Sequence, residues 1–161
     1  MIMRNKINFV SGETYSLAEI FSGERRIIIP DLQRDYCWAD TVHTEEKKEL
    51  VSGFVMILIG EYQMFQENNA MPASRGLIYG YESPENHIQL CDGQQRITTL
   101  FLLIGMLNRK VGDNSLRRFL ITDFEYLQDD KEPYLQYSIR ESSLYFLGND
   151  LPVYTNNLVK Y

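Results

Sequence analysis

Five consecutive residues, Asp92-Gly93-Gln94-Gln95-Arg96, stand where an apolar alternating segment gives way to an apolar helical one. Upstream, His87-Ile88-Gln89-Leu90-Cys91 alternates at period two, and downstream Ile97, Leu100, Phe101, Ile104 and Leu107 recur at helical spacing. The cluster therefore falls at a strand-to-helix junction. First-turn amides have no intrahelical acceptor and carry the positive end of the helix dipole, so such a junction favours an anion such as phosphate. Gly93 lets the backbone come close, and Asp92 is an N-cap candidate worth about 1 kcal/mol. Arg96 offers a bidentate fork to phosphate oxygens, and the amides of Gln94 and Gln95 suit the orientation of a phosphate or an attacking water. A plainer reading has Asp92-Gly93 capping the helix and the rest forming a solvated first turn.

Other chemistries find little support. The two cysteines, Cys37 and Cys91, lack CxxC or Cys/His ligand spacing, which argues against a zinc site and for a reducing compartment with both thiols buried. His43 and His87 are too far apart for a histidine metal site, and neither has a Ser or Cys partner motif. The longest apolar run, Gly53 to Gly60, is too short to span a bilayer, and the N-terminus lacks the basic-then-apolar order of a signal peptide, so the expected location is cytoplasmic. A formal net charge of −6 over 161 residues does not resemble a duplex-binding surface, although arginines fall in several local clusters. The 44% apolar content is enough for one domain to bury a core without metal or disulfides.

The elements that must position the cluster are legible in outline. Ser16 with Glu19 three residues on predicts a capping box opening a short helix, ended by Ser22-Gly23. Arg26-Ile27-Ile28-Ile29 is a β-branched strand stopped by Pro30-Asp31. The mixed segment Gln33 to Trp38 is expected to be a loop or irregular turn. A long helix is expected from about Thr44 to Phe65, weakened by Gly53 and Gly60. Leu77–Tyr81 and His87–Cys91 form a hairpin-like pair around Ser83-Pro84-Glu85-Asn86. A second helix from Ser115 to Leu120, a strand from Tyr134 to Ile139 and a helix from Arg140 to Leu147 complete the pattern. The spacing shows no internal repeat.

Three ordered segments resemble the GmrSD restriction-enzyme N-terminal family: Ile29-Pro30-Asp31-Leu32-Gln33-Arg34-Asp35-Tyr36-Cys37-Trp38, Asp92-Gly93-Gln94-Gln95-Arg96-Ile97-Thr98-Thr99-Leu100, and Tyr137-Ser138-Ile139-Arg140-Glu141-Ser142-Ser143. They follow the family's I-P-x-x-Q-R-x-Y-x-W, D-G-Q-Q-R and R-E-S segments. The resemblance implies a mixed α/β (α+β) fold like that of ParB and sulfiredoxin, a small sheet flanked by helices, with the D-G-Q-Q-R loop at nucleotide phosphates. It also implies a regulatory domain, nucleotide-binding and NTP-hydrolysing, of a system that restricts phage DNA bearing modified bases or backbones. In such proteins a C-terminal region often carries an HNH-type nuclease. No HNH pattern accompanies His43 or His87, so residues 1–150 are expected to form the nucleotide-binding domain and 151–161 a polar tail leading to a C-terminal region that is absent.

On this resemblance Gly93 and the following amides cradle a phosphate, Arg96 neutralises transferring charge, and Gln94 or Gln95 positions water. Asp92 holds Mg2+ through water or orients Arg96, so the implied cofactor is an NTP with Mg2+. Gln33 and Arg34 reach the same pocket from a neighbouring element, and one of Thr98 and Thr99 touches phosphate. Tyr36 and Trp38 are candidates for base stacking, with Trp38 as a core anchor the competing reading. Arg140 and Glu141 either orient the site as a charged pair or sit at a helix start. Gly23-Glu24-Arg25-Arg26 matches in letters a phosphate-binding motif of ParB proteins. It precedes the first strand, however, so Gly23 is expected to cap a helix and Arg25-Arg26 to be a solvated pair. DNA is an expected partner of the full-length protein or of an associated nuclease. The alternative function is a non-catalytic sensor of modified DNA or of a partner nuclease.

Overall fold

The computed structural model describes residues 9–31, 45–68, 76–121 and 132–138. The backbone divides into two compact units, Met1–Gln33 with Ile78–Tyr161, and Arg34–Leu77.

The first unit is built on a four-stranded mixed sheet. Helix α1 (Leu17–Ile20) opens with the expected capping box: Ser16 Oγ accepts from the Glu19 amide, and the Ser16 amide donates back to the Glu19 carboxylate. Strand β1 (Arg26–Ile29) follows and is buried at all four positions. Central parallel strands are covered on both faces, which is why Ile27-Ile28-Ile29 runs apolar without alternating. Pro30, which has no N–H to offer a ladder, ends it.

β2 (Tyr79–Glu82) and β3 (His87–Asp92) form the expected antiparallel hairpin, joined through Ser83-Pro84-Glu85-Asn86. Asn86 takes φ +64° in that turn, a conformation asparagine tolerates. The sheet order is β2-β3-β1-β4, where β4 is Leu135–Tyr137. β3 and β4 both run parallel to β1, with Ile27 opposite Ile88 on one side and Leu135 on the other.

Helix α3 (Gln94–Val111) links β3 to the far side of the sheet and ends at Gly112, whose φ of +76° and bond to the Asn108 carbonyl make a left-handed cap. Ile97, Leu100 and Phe101 are buried, and Ile104 packs against the core. Leu107, expected on the same stripe, is exposed. The inward line instead runs through Phe101, Gly105 and Asn108, because 3.6 residues per turn carries the buried face past position 107. Phe101 meets Phe21 edge to face at 5.2 Å, and Tyr134, Leu135, Leu120 and Ile121 close the core around them. The expected helix at Ser115–Leu120 is a single 3-10 turn, Arg117–Phe119. Residues 140–147 lie outside the described residues.

Arg25 and Arg26 are buried, which corrects their reading as a solvated pair. Arg26 Nε donates to Glu132 at 3.0 Å, and Nη1 donates to the carbonyls of Glu24 and Arg25. It ties the start of β1 to the segment that enters β4. The Arg25 guanidinium lies over the Phe9 ring, and burial holds its pKa below the usual arginine value against the opposing charges of Glu82 and Tyr15. Gly23 does take a positive φ, but α1 is capped by Phe21 two residues earlier.

The second unit contributes α2 (Glu45–Asn68), a helix of 24 residues that runs unbroken through Gly53 and Gly60. Each glycine in a helix interior costs about 0.5–1 kcal/mol relative to alanine, which so long a helix tolerates. Val51, Phe54, Val55 and Leu58 are half-buried, whereas Leu50, Met56, Ile57 and Met64 are exposed.

Candidate functional site

Gly93, not Asp92, is the N-cap of α3, with φ +90° and ψ 5°. An aspartate cap needs extended backbone and a carboxylate turned back onto the helix start. Here Asp92 remains the last residue of β3, and the left-handed glycine makes the turn after it. As a glycine, the N-cap itself offers no side chain to the helix start. The Asp92 carboxylate is instead 72% exposed and stands 3.7 Å from Arg96 Nη2, one helical turn on. That is an ion pair without a tight hydrogen bond, and the Arg96 side chain keeps 26% of its own surface. Its Nη2 lies 3.5 Å from where a Cβ on Gly93 would be, so the guanidinium folds back over the turn.

The remaining polar residues of the segment point to a built structure and not a solvated turn. Gln94 and Gln95 are buried in the first turn of α3. Thr98 and Thr99 are buried too, and their hydroxyls are engaged within the fold. Thr98 Oγ1 bonds the Tyr137 hydroxyl at 2.9 Å, joining α3 to β4, and Thr99 Oγ1 donates to the Gln95 carbonyl one turn back. Cys91, expected to be buried, is half-buried beside them in sequence.

Topology brings the described ends of the three sequence segments to one edge. β1, β3 and β4 are parallel, so their carboxyl ends, Ile29, Asp92 and Tyr137, lie on the same side of the sheet. Ser138 extends that edge, its amide donating to the Ile29 carbonyl at 3.0 Å. Ligands of open α/β sheets bind outside the carboxyl ends of the strands. Gln33, Arg34, Tyr36 and Trp38 follow β1 in the chain, and Arg140 and Glu141 follow β4. All six lie outside the described residues.

Residues 17–158 match the GmrSD restriction endonuclease, N-terminal domain. The chain belongs to this family. No curated protein and no solved structure matches it. The match takes in α1, the whole sheet and α3, so the strand-to-helix junction at Asp92–Arg96 lies within the family's domain and not in an appendage to it. As a GmrSD N-terminal domain, the chain is a module of a restriction system acting in phage defence. Among the described residues, no helix is long and apolar enough to cross a membrane, and no group of three or more His, Cys, Asp or Glu is placed to hold a metal.

One neighbour of the junction carried no functional expectation. Tyr79, on β2, pairs in register with Asp92. Its sequence signal, a tyrosine on either side of Gly80, reads as ordinary strand alternation, and only the register places it beside the turn.

Proposed function

We propose that this GmrSD N-terminal domain binds a nucleoside triphosphate with Mg2+ at the start of α3 and hydrolyses it, and that this cycle regulates the restriction of modified phage DNA. The observation that carries the reading is the turn itself. A left-handed glycine leads from the carboxyl end of a strand into an 18-residue helix, and an arginine is folded over the glycine. A helix of that length presents its dipole and first-turn amides to an anion, and the arginine adds a charge with fixed direction.

The residues divide the work as follows. Gly93 allows the phosphates close to the backbone, and Arg96 neutralises charge that develops on the transferred phosphoryl group. Gln94 or Gln95 orients the water that attacks the terminal phosphorus as the bond to the diphosphate oxygen breaks. A buried amide is held in place before reaction, which suits that task. Mg2+ on a nucleotide takes most of its ligands from phosphates and water and needs only one or two carboxylates, a demand that the exposed Asp92 fits. When bound, the ion supplies charge neutralisation across the phosphates. Thr98 and Thr99 serve as scaffold, given where their hydroxyls are engaged. Gln33, which follows β1 in the chain, and Arg140 and Glu141, which follow β4, are proposed as further phosphate contacts and support. The nuclease is supplied by another region or protein, through which the domain meets DNA.

Calorimetric titration of the chain with each of the four NTPs plus Mg2+, alongside phosphate release, tests the proposal. Saturable binding with release, both lost in Arg96→Ala with its fold retained, is the expected result. Binding without release removes hydrolysis and leaves a nucleotide-gated sensor. Failure of every NTP to bind overturns the reading.

A further inference from the structure

We infer that the outward face of the last two turns of α3, together with the 3-10 turn that follows it, docks an acidic amphipathic helix of a partner protein. This surface does not depend on the nucleotide reading. The 18 residues of α3, at about 1.5 Å each, put it roughly 25 Å from the turn at Gly93.

α3 changes character along its length. From Ile97 to Phe101 five consecutive residues are buried, and at about 100° per residue they take in the whole circumference of the helix. Beyond Gly105 the outward side opens. Met106 is 67%, Leu107 44% and Val111 57% exposed, whereas Asn108, on the inward side, is buried. The three apolar side chains fall within an arc of about 140°, with Lys110 between them, and so make one strip. Apolar residues scattered singly on a surface need no explanation, but a contiguous strip with a polar rim marks an interaction site.

The rim here is cationic. Arg109 and Lys110 lie in the last turn of α3, and Arg117 and Arg118 open the 3-10 turn. The chain doubles back between the two pairs: the Leu116 amide donates to Asn108 Oδ1 at 3.1 Å, fastening the base of one pair beside the other. The Arg118 guanidinium lies over the Phe119 ring, 4.8 Å from its centre, which holds it in place. Asp113 is the only acid between Leu107 and Ile121, and its carboxylate accepts from the Ser115 amide. Among the described residues, none of the four cations is paired with a carboxylate. Complementing the negative end of the α3 dipole accounts for Arg109 and Lys110. It does not account for Arg117 and Arg118, and the four repel one another until an anionic group meets them, in a chain whose net charge is −6.

Charge complementarity calls for an acidic partner, and the apolar strip calls for one that also buries hydrocarbon. A nucleic-acid backbone meets the first demand alone. An amphipathic helix with carboxylates beside its apolar stripe meets both, laying anchors at i, i+3, i+4 and i+7 along the strip. No helix among the described residues of this chain has that pattern: α1 has four residues, and α2 carries a single acid between Leu50 and Phe65. The docked helix is therefore assigned to another protein.

The test uses a fluorescein-labelled 18-residue peptide with leucines at i, i+3, i+4 and i+7 spacing and glutamates elsewhere, and a counterpart with lysine at every glutamate. Each is titrated with the full chain and read by anisotropy. Met106→Ser removes part of the strip, and Arg109→Glu with Arg118→Glu reverses two rim charges; circular dichroism checks that both variants fold. The expected result is saturable binding of the acidic peptide, none of the lysine peptide, and weakening on the order of tenfold in both variants. Equal binding of the two peptides overturns the inference by showing hydrophobic adhesion alone, and failure of the acidic peptide to bind overturns it outright. Binding that is unchanged in Met106→Ser, lost on charge reversal and matched by a 16-bp DNA duplex overturns it in favour of a phosphate-backbone site. If sedimentation finds the wild-type chain dimeric and Met106→Ser monomeric, the face belongs to a second copy and the partner assignment falls.

Discussion

Alanine at Gly93 separates backbone geometry from side-chain chemistry at the candidate site, because it adds one methyl group and no charge. At φ +90° and ψ 5°, the glycine occupies a region that costs an L-residue about 1–2 kcal/mol, and up to about 3 where the surroundings resist relaxation. The surroundings do resist here. The new Cβ would stand 3.2 Å from Ile78 Cγ1 and 3.5 Å from Arg96 Nη2. Ile78 must yield a few tenths of an ångström, whereas 3.5 Å to the guanidinium is ordinary van der Waals contact. We expect Gly93→Ala to lose about 2–3 kcal/mol in urea unfolding, equivalent to roughly 4–12 °C in Tm for a chain of this size. It should also weaken binding of inorganic tripolyphosphate, since the added methyl group hinders close approach to the backbone of the turn. Gly112→Ala is the control. That residue also has a positive φ, +76°, but nothing stands within 4 Å of its Cβ position, and it lies at the other end of α3. It should cost about 1–2 kcal/mol and leave anion binding intact. Loss of less than about 0.5 kcal/mol in Gly93→Ala would refute the strain argument. Equal weakening of tripolyphosphate by both variants would refute the claim that the turn at Gly93 is the binding element.

Gly53→Ala and Gly60→Ala should each stabilise the chain by about 0.5–1 kcal/mol, because both lie inside α2 with open space at their Cβ positions. A lowered urea midpoint in either would show that another surface approaches the helix there. Thr98→Val and Tyr137→Phe should each cost about 1–3 kcal/mol, and a double-mutant cycle should return a coupling of about 0.5–1.5 kcal/mol for their 2.9 Å bond. Additivity of the two would mean that the hydroxyls do not depend on one another. The Glu19 carboxyl is held below its ordinary pKa of 4.5 by hydrogen bonds from the Ser16 amide and hydroxyl. A depressed folded-state pKa stabilises above 4.5 and loses that contribution as pH falls through the folded value. Acid titration of stability should therefore show a step below pH 4.5 that Glu19→Gln removes.

The sequence announced elements where local chemistry decides and missed features set by neighbours distant in the chain. The capping box, the β1 run stopped by Pro30, the hairpin and the strand-to-helix junction all rest on residues within a few positions of one another. The burial of Arg26 does not: Glu132 is 106 positions away, and nothing in Arg25-Arg26 distinguishes a tie between strands from a solvated pair. The cap of α3 fell one residue from its expected place because Asp and Gly in succession satisfy two different rules. Aspartate suits an extended cap and glycine a left-handed one, and the bulge at Cys91 selects the second. The same bulge explains why Tyr79 escaped notice. Pairing Tyr79 with Cys91 would leave it one residue further from the turn, and a bulge that inserts one residue at a strand end leaves no mark in the alternation before it.

What joins the three sequence segments is the burial of β1. Ile29, Asp92 and Tyr137 belong to parts of the chain far apart, and they share an edge only because β3 and β4 take their register from the same short strand. A strand open on one face would show alternation instead of a continuous apolar run. Ile27, Ile28 and Ile29 are all buried, so a slip by one residue would move isoleucines into positions shaped by different neighbours on both faces. The edge on which the candidate site stands is thus positioned by the least exposed part of the sheet. Asp92 and Arg96, the charged pair proposed to act there, remain within reach of solvent. Rigid placement from beneath and access from above are what a site needs if it must present dipoles in fixed directions to an incoming phosphate.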